Sequence, residues 1–362
     1  MKKILFILLA VCILVGCQRK QDDGVVKIGA ILTQSGNVSY WSNELQKGMD
    51  LAYSELTPEL QSQIILQYED NMFKPSLAIS AFNKLVTVDK VDVIVTCFTP
   101  IAEALIPLSE KNKIPMIASV TSSTNIVNER KWAFRDYITQ EQQCPLLADY
   151  VFNLGYKRGG YLVVNDDYGM DGLKQFSQRF QDLGGEMVYG ESFSQSGELS
   201  KRNEILKLST FNLDFIFVIA RDQLLINICN QIREIDKNIQ IVGINSFDTD
   251  VVWNALGING EGILFSSGYF NNEDNNDCKQ FYVKYIEKYQ TAPNYTSVYG
   301  YVIMSYLIDI CKEKRNKNDI REAISALCTS SIRGDIYTLP NHDVTGDVGL
   351  YMRINDSSIL IK

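Results

Sequence analysis

The sequence predicts an α/β protein built as two Rossmann-like, doubly wound units in tandem. Three observations carry this. Apolar runs of strand length alternate with segments of helical spacing from Val25 onward, the second half repeats the rhythm of the first, and no low-complexity linker separates them. In order, residues 25–31 read as a strand, and Leu45, Met49, Ala52 and Leu56 then recur at helical spacing. Strand 64–68 precedes a helix over 75–88 that opens on Pro75, as a first turn allows. Strand 91–96, helix 101–110 and strand 115–118 complete a βαβαβαβ series. The second series begins at strand 161–164. Its helix places Leu173, Phe176, Phe180 and Leu183 on one face and stops at Gly184-Gly185. Strand 187–193, helix 199–209, strand 214–220, helix 223–235 and strand 239–244 follow. Beyond them come strand 262–267, helices over 278–289, 296–314 and 319–327, and β-like segments at 336–338 and 349–354.

The N-terminus carries Lys2 and Lys3, an apolar stretch over 4–15, and Leu14-Val15-Gly16-Cys17. A bilayer span takes roughly 20 apolar residues, so residues 1–16 read as a secretory signal peptide. The Leu-Val-Gly-Cys end resembles a bacterial lipobox, which implies acylation at Cys17 and a lipid-anchored tether over 17–24. The alternative is an uncleaved helical anchor, against which the polar run Gln18 to Asp23 argues. Either way the chain is expected outside the cytoplasm, in the cell envelope, periplasmic if the cell is Gram-negative. The net charge is −8, or −10 once Lys2 and Lys3 are removed. An acidic exported chain without a basic stripe is a poor partner for nucleic acid, which needs clustered Lys and Arg. Cys97, Cys144, Cys229, Cys278, Cys311 and Cys328 form no C-x-x-C pair, so no structural metal is expected, and most should be buried small apolar residues.

Catalytic chemistry finds little support. The one histidine, His342, sits in the turn-like Pro340-Asn341-His342-Asp343 and reads as a solvated turn residue. No G-x-S-x-G, H-E-x-x-H or G-x-x-x-x-G-K-[ST] occurs. No enzyme activity and no cofactor are therefore expected. In doubly wound sheets, ligands gather at the carboxyl ends of strands, where loops and helix N-termini present backbone N–H groups. The loops there carry aromatic and hydroxyl groups: Tyr40 and Trp41 after the first strand, Thr99 at a helix start, and a hydroxyl run over 119–124. Such groups suit a small amphipathic ligand. In "LVVNDDYGMDGLKQF", Asp166 and Asp167 do not fit a calcium loop and read as turn and helix-start acids.

The stretches "VKIGAILTQSGNVSYW", "QYEDNMFKPSLAISAFNKLV", "IPMIASVTSSTN", "WAFRDYITQEQQ", "LVVNDDYGMDGLKQF", "LDFIFVIA", "IVGINSFDTD", "EGILFSSGY" and "PNYTSVYGYVIMSYL", in this order, resemble the type I periplasmic substrate-binding proteins of ABC transporters, in particular the leucine/isoleucine/valine-binding group. The resemblance implies two lobes joined by a hinge of three crossings, lobe 1 over 25–139 plus 265–334 and lobe 2 over 140–264 plus 335–362. It also implies a small amino-acid-like or carboxylate ligand in the interlobe cleft and an ABC permease as partner. By motif position it implies that Cys97, Phe98 and Thr99, with Val120, Thr121 and Ser122, hold the ligand's head, that Tyr40 and Trp41 lie beside it, and that Tyr168 closes from lobe 2. Where relatives place a carboxylate for the ligand ammonium this chain has Asn245, with Asp248 three residues on as a substitute. Arg221 stands where an aromatic is common and either reaches a second ligand carboxylate or faces water. The other function expected of this fold is a lipoprotein regulator of a cell-envelope enzyme.

Overall fold

The computed structural model describes residues 24–36, 38–121, 126–268, 275–314, 316–355 and 357–361. The expected signal peptide, Cys17 and Ser122 lie outside the described residues. Strands β1 (Val26–Leu32), β2 (Ile64–Asp70), β3 (Val93–Cys97), β4 (Met116–Ser119) and β5 (Ala133–Asp136) open the first sheet. Strands β6 (Arg158–Val164), β7 (Glu186–Phe193), β8 (Phe215–Ile219), β9 (Gln240–Gly243) and β10 (Leu264–Gly268) open the second. The chain then returns to the first sheet with β11 (Cys328–Ser331), β12 (Gly334–Thr338) and β13 (Asp343–Thr345), and ends in the second with β14 (Val348–Ile354) and β15 (Ser357–Leu360). The orders are β11-β12-β13-β5-β4-β3-β1-β2 and β15-β14-β10-β9-β8-β6-β7. The two α/β units of the sequence reading are thus present, and the chain crosses between them three times.

Two expected segments change sides. Residues 265–268 were expected with the first unit, yet β10 runs parallel to β9 and antiparallel to β14 in the second sheet. Residues 335–345 were expected with the second unit, yet β12 and β13 pair into the first. A buried ion pair holds the second of these in place: the Arg135 guanidinium grips the Asp343 carboxylate in bidentate fashion at 2.7 and 2.8 Å, clipping β13 beside β5. Next to it, Arg333 donates to Asp136 at 2.6 Å. His342 is not a solvated turn residue. It adopts a left-handed φ of 69°, and its ring stacks on Phe134 with centroids 4.5 Å apart.

Period-2 alternation splits the first sheet's side chains between two cores. Val93, Val95 and Cys97 of β3 face one, and Ile94 faces the other. On the first face, helix Ser39–Ser54 crosses helix Tyr295–Glu313 at van der Waals distance from backbone to backbone. A Cβ on Gly48 would lie 1.9 Å from the Ser297 carbonyl oxygen, and one on Gly300 1.9 Å from that of Leu45. This contact sets the spacing of the two helix starts, where Trp41 and Tyr295 stand. The second sheet packs around Phe176, Phe215, Phe217 and Phe265. Cys97, Cys144, Cys229, Cys278 and Cys311 are buried, and Cys328 is exposed.

Arg135→Ala leaves Asp343 buried without its counter-charge and is expected to cost about 3–5 kcal/mol. Gly48→Ala forces the two helices apart and is expected to cost about 3 kcal/mol. Urea unfolding midpoints measure both, and a change under about 0.5 kcal/mol in either case would contradict the packing described.

Candidate functional site

The carboxyl ends of β3, β4 and β8 each carry a residue in left-handed backbone geometry that is not glycine. Phe98 has φ 71° and ψ 135°, Val120 has φ 50°, and Asp222 has φ 50°. A β-branched or aromatic side chain there costs on the order of 1–3 kcal/mol, and such strain concentrates at functional sites. The first-sheet loops are braced from below. Phe98 packs edge-on against Phe73, and the Thr99 and Thr121 hydroxyls hydrogen-bond each other at 2.7 Å. Cys97 does not join them. It is fully buried and its thiol donates to the Ser42 hydroxyl at 3.2 Å, with desolvation pushing its pKa up to about 11, so it serves the core.

Between the sheets lies a hydrogen-bonded network with members from both. The Tyr168 hydroxyl donates to Asn245 Oδ1 at 3.1 Å, and Asn245 Nδ2 donates to Tyr137 at 3.0 Å and Tyr295 at 3.5 Å. The Tyr137 and Tyr295 hydroxyls are 3.1 Å apart, and Gln143 donates to Asn245 Oδ1 at 3.3 Å. The Asn245 amide is thereby committed on both its oxygen and its nitrogen. Burial raises the pKa of all three phenols, Tyr168 to about 12, so they act as neutral hydrogen-bonding groups. Trp41 leans on Tyr295 with centroids 5.6 Å apart. Tyr40 stands edge-on to Trp41 at 5.1 Å, partly exposed, its hydroxyl accepting from Asn294.

Charge enters from the second sheet. Asp166 caps the helix Asp167–Asp182, accepting from the Gly169 N–H at 3.1 Å as the helix-start reading expects. Its second oxygen takes the Arg221 guanidinium at 2.7 Å, while that guanidinium lies 4.2 Å over the Tyr168 ring. The Arg221 side chain stays one third exposed beside this ion pair. Asp248 accepts from the Ser267 hydroxyl at 2.7 Å and acts electrostatically on Tyr282 and Tyr295 of the opposite side. Asp222 and Asp250 likewise act on Tyr40. Sequence reading missed Tyr137, Tyr295 and Gln143. The first two directly follow β5 and the Asn294 helix cap, and the "TQEQQ" start of the third carries the T-x-x-Q capping signature. A separate cavity of about 390 Å³ opens on the outer side of the first unit, lined by Lys284, Tyr301, Asp309 and Ser330, away from these strand ends.

Two α/β lobes linked by three crossings, with aromatic, amide and carboxylate groups converging from both sides, define a two-lobed binding protein rather than an enzyme. The chain belongs to the periplasmic binding protein family, whose profile matches residues 25–356. No curated protein sequence matches the chain. Among solved structures, it is similar to a leucine-binding protein of Thermotoga maritima, with 24% identity, a TM-score of 0.82, and 93% of this chain and 98% of that one covered. It is also similar to the branched-chain amino acid transporter substrate-binding protein of Streptococcus pneumoniae in complex with isoleucine, at 21% identity and a TM-score of 0.81, covering 93% and 99%. A solute-binding protein of an ABC transporter from R. palustris in complex with benzoate shares 19% identity and a TM-score of 0.80, covering 93% and 95%. At these identities the similarity is one of fold.

Desolvation pushes the Asp248 carboxyl up to about 6 from the ordinary 3.8; the Ser267 hydroxyl pulls it down and Asp250 adds to the rise. Between those two values the folded chain binds more protons than the unfolded one, so the cost is absent below the lower value and complete above the upper. Asp248→Asn is expected to stabilise the protein by about 2 kcal/mol at pH 7 and to leave stability unchanged below 3.8. Urea midpoints at the two pH values check it, and destabilisation at pH 7 would count against this environment for Asp248.

Proposed function

We propose that the chain is an extracytoplasmic solute-binding protein, anchored through an acylated Cys17, that closes on a small polar or amino-acid-like ligand and delivers it to an ABC permease. The observation that carries the reading is the Tyr168–Asn245–Tyr137/Tyr295 network, because it joins strand-end residues of one lobe to residues of the other. In this reading lobe 1 holds 25–139 and 275–345, lobe 2 holds 140–268 and 348–361, and the hinge is the three connections between the sheets. Tyr40, Trp41, Phe98, Thr99, Val120 and Thr121 form the first wall. Tyr168, Arg221, Asn245 and Asp248 form the second. Cys97 is left out of the wall on account of its burial. The ligands of similar structures, leucine or isoleucine in some and benzoate in others, bracket the size of molecule such a cleft takes. Coupling ligand contact to hinge closure is how a protein with no reaction to perform turns binding into a signal its partner reads.

Residues 18–362 screened by thermal shift against amino acids, amines, carboxylates and short peptides are expected to give at least one saturable rise in melting temperature. A ligand at a hundredfold excess over its dissociation constant adds about 2.7 kcal/mol. Tyr168→Ala is expected to weaken that ligand at least tenfold while the lobes stay folded. A library without hits, or an unchanged dissociation constant in the variant, would sink the respective claim. For the anchor, Cys17→Ser in the full chain is expected to abolish incorporation of radiolabelled fatty acid and release the protein from membranes.

A further inference from the structure

The three crossings between the sheets converge on one pair of side chains, Tyr299 and Arg333. Where β13 runs beside β5, Val344 stands opposite Asp136, and where β10 runs beside β14, Gly268 stands opposite Val348, so the chain changes sheets at three neighbouring points. Tyr299 is buried on the helix Tyr295–Glu313. Its ring lies 5.3 Å from that of Tyr137 in the first crossing, and the Ile138 backbone acts on its hydroxyl. A Cβ on Gly268, which ends β10, would lie 3.1 Å from the same hydroxyl oxygen. The last crossing, Gly346-Asp347, is reached through Arg333. That guanidinium sits 3.7 Å over the Tyr299 ring, and its Nη2 would be 3.5 Å from a Cβ on Gly346.

Neither member of this stack is free to retreat. Gly300, the next residue after Tyr299, is pressed against the Leu45 carbonyl, which fixes where Tyr299 stands. Arg333 is buried and held by its 2.6 Å bond to Asp136, the residue from which the first crossing departs. A side chain at position 268 has to displace either the hydroxyl or β10, and glycine is what admits so close an approach.

From this we infer that Tyr299 and Arg333 form the bearing of the hinge, a fixed block of lobe 1 against which the crossings turn, and that its thickness sets the balance between open and closed arrangements. Both are positioning residues, since neither belongs to the two cleft walls. In the arrangement described, the lobes meet through Asn245, and a thicker bearing opposes that meeting. Packed interfaces are bistable rather than continuously deformable, so a small displacement at the bearing is expressed as a change in population. A solute gains apparent affinity with the fraction of molecules already in the arrangement it fits, so the bearing tunes binding from outside the cleft. That consequence rests on the solute-binding reading, whereas the bearing rests on the fold alone.

The test reads the lobes directly and needs no ligand. Spin labels are carried by Ser76→Cys and Ser200→Cys, exposed positions that follow the outermost strands β2 and β7, in residues 18–362 with Cys328→Ser removing the exposed thiol. Double electron–electron resonance gives the ratio of long to short separations. Gly268→Ala sets a methyl against the Tyr299 hydroxyl and is expected to raise that ratio by about threefold or more. Adding Tyr299→Phe, which removes the oxygen the methyl meets, is expected to return the ratio to that of the parent. An unchanged ratio in Gly268→Ala overturns the bearing, as does a single separation shared by the parent and every variant. A raised ratio that Tyr299→Phe does not reverse overturns the part of Tyr299. Should Gly268→Ala fail to fold, Arg333→Lys keeps the charge that Asp136 needs and gives up the flat face over Tyr299. The ratio is then expected to change by about threefold, and constancy overturns the bearing. Silence of the broad ligand screen, with the ratios shifting as described, sinks the solute reading and leaves the bearing standing.

Discussion

The buried pair between Arg135 and Asp343 holds the architecture to its two-lobed form. Without it, β13 loses the charge pairing that clips it beside β5, and Asp343 is left buried without a counter-charge. The bidentate geometry matters because a charge taken out of water repays its desolvation only when the partner and its hydrogen bonds are well placed. Arg333 and Asp136, the residue after Arg135 on β5, repeat the device, so two buried ion pairs fasten this part of the first sheet.

Placed on that frame, the cleft combines rigidity with unsatisfied chemistry. Its strand-end residues are strained, its tyrosines are tied together, and its carboxylates are desolvated. The strain and the desolvation cost stability, and in one region they add up to a departure from what folding alone would select. The Asn245 amide is the pivot. Its oxygen accepts from Tyr168 and Gln143 and its nitrogen donates to Tyr137 and Tyr295, so one side chain links the two lobes.

Much of the fold was legible from alternation alone. Most central strands and the helices they feed fall within a few residues of the periodicity-based positions, because buried parallel strands are continuous apolar runs. The elements that escaped are short or amphipathic: β5 reads Ala-Phe-Arg-Asp, and its Arg and Asp are buried because partners arrive 208 and 197 residues later, respectively. No local pattern announces such a partner. The same limit applies to the lobe boundaries, which depend on which strand β10 and β13 choose as neighbour. In the cleft, Tyr40, Trp41, Tyr168, Asn245 and Asp248 were visible as strand-end residues. Tyr137 and Tyr295 were not, since one follows an unrecognised strand and the other opens a helix that looks like ordinary core. The ion pair of Arg221 with Asp166, 55 residues away, is likewise one that no spacing rule supplies.

The crossing at Gly48 and Gly300 has a consequence for how this protein can change over generations. Its contact is made by main chain, so it offers substitution nothing to adjust by degrees: any side chain is excluded, and the distance between Trp41 and Tyr295 is inherited as a fixed gauge. Variation is therefore channelled into the strand-end loops, where a single replacement can alter which molecule is taken without disturbing that gauge. A lineage built this way can exchange one nutrient for another while its aromatic floor stays where it was.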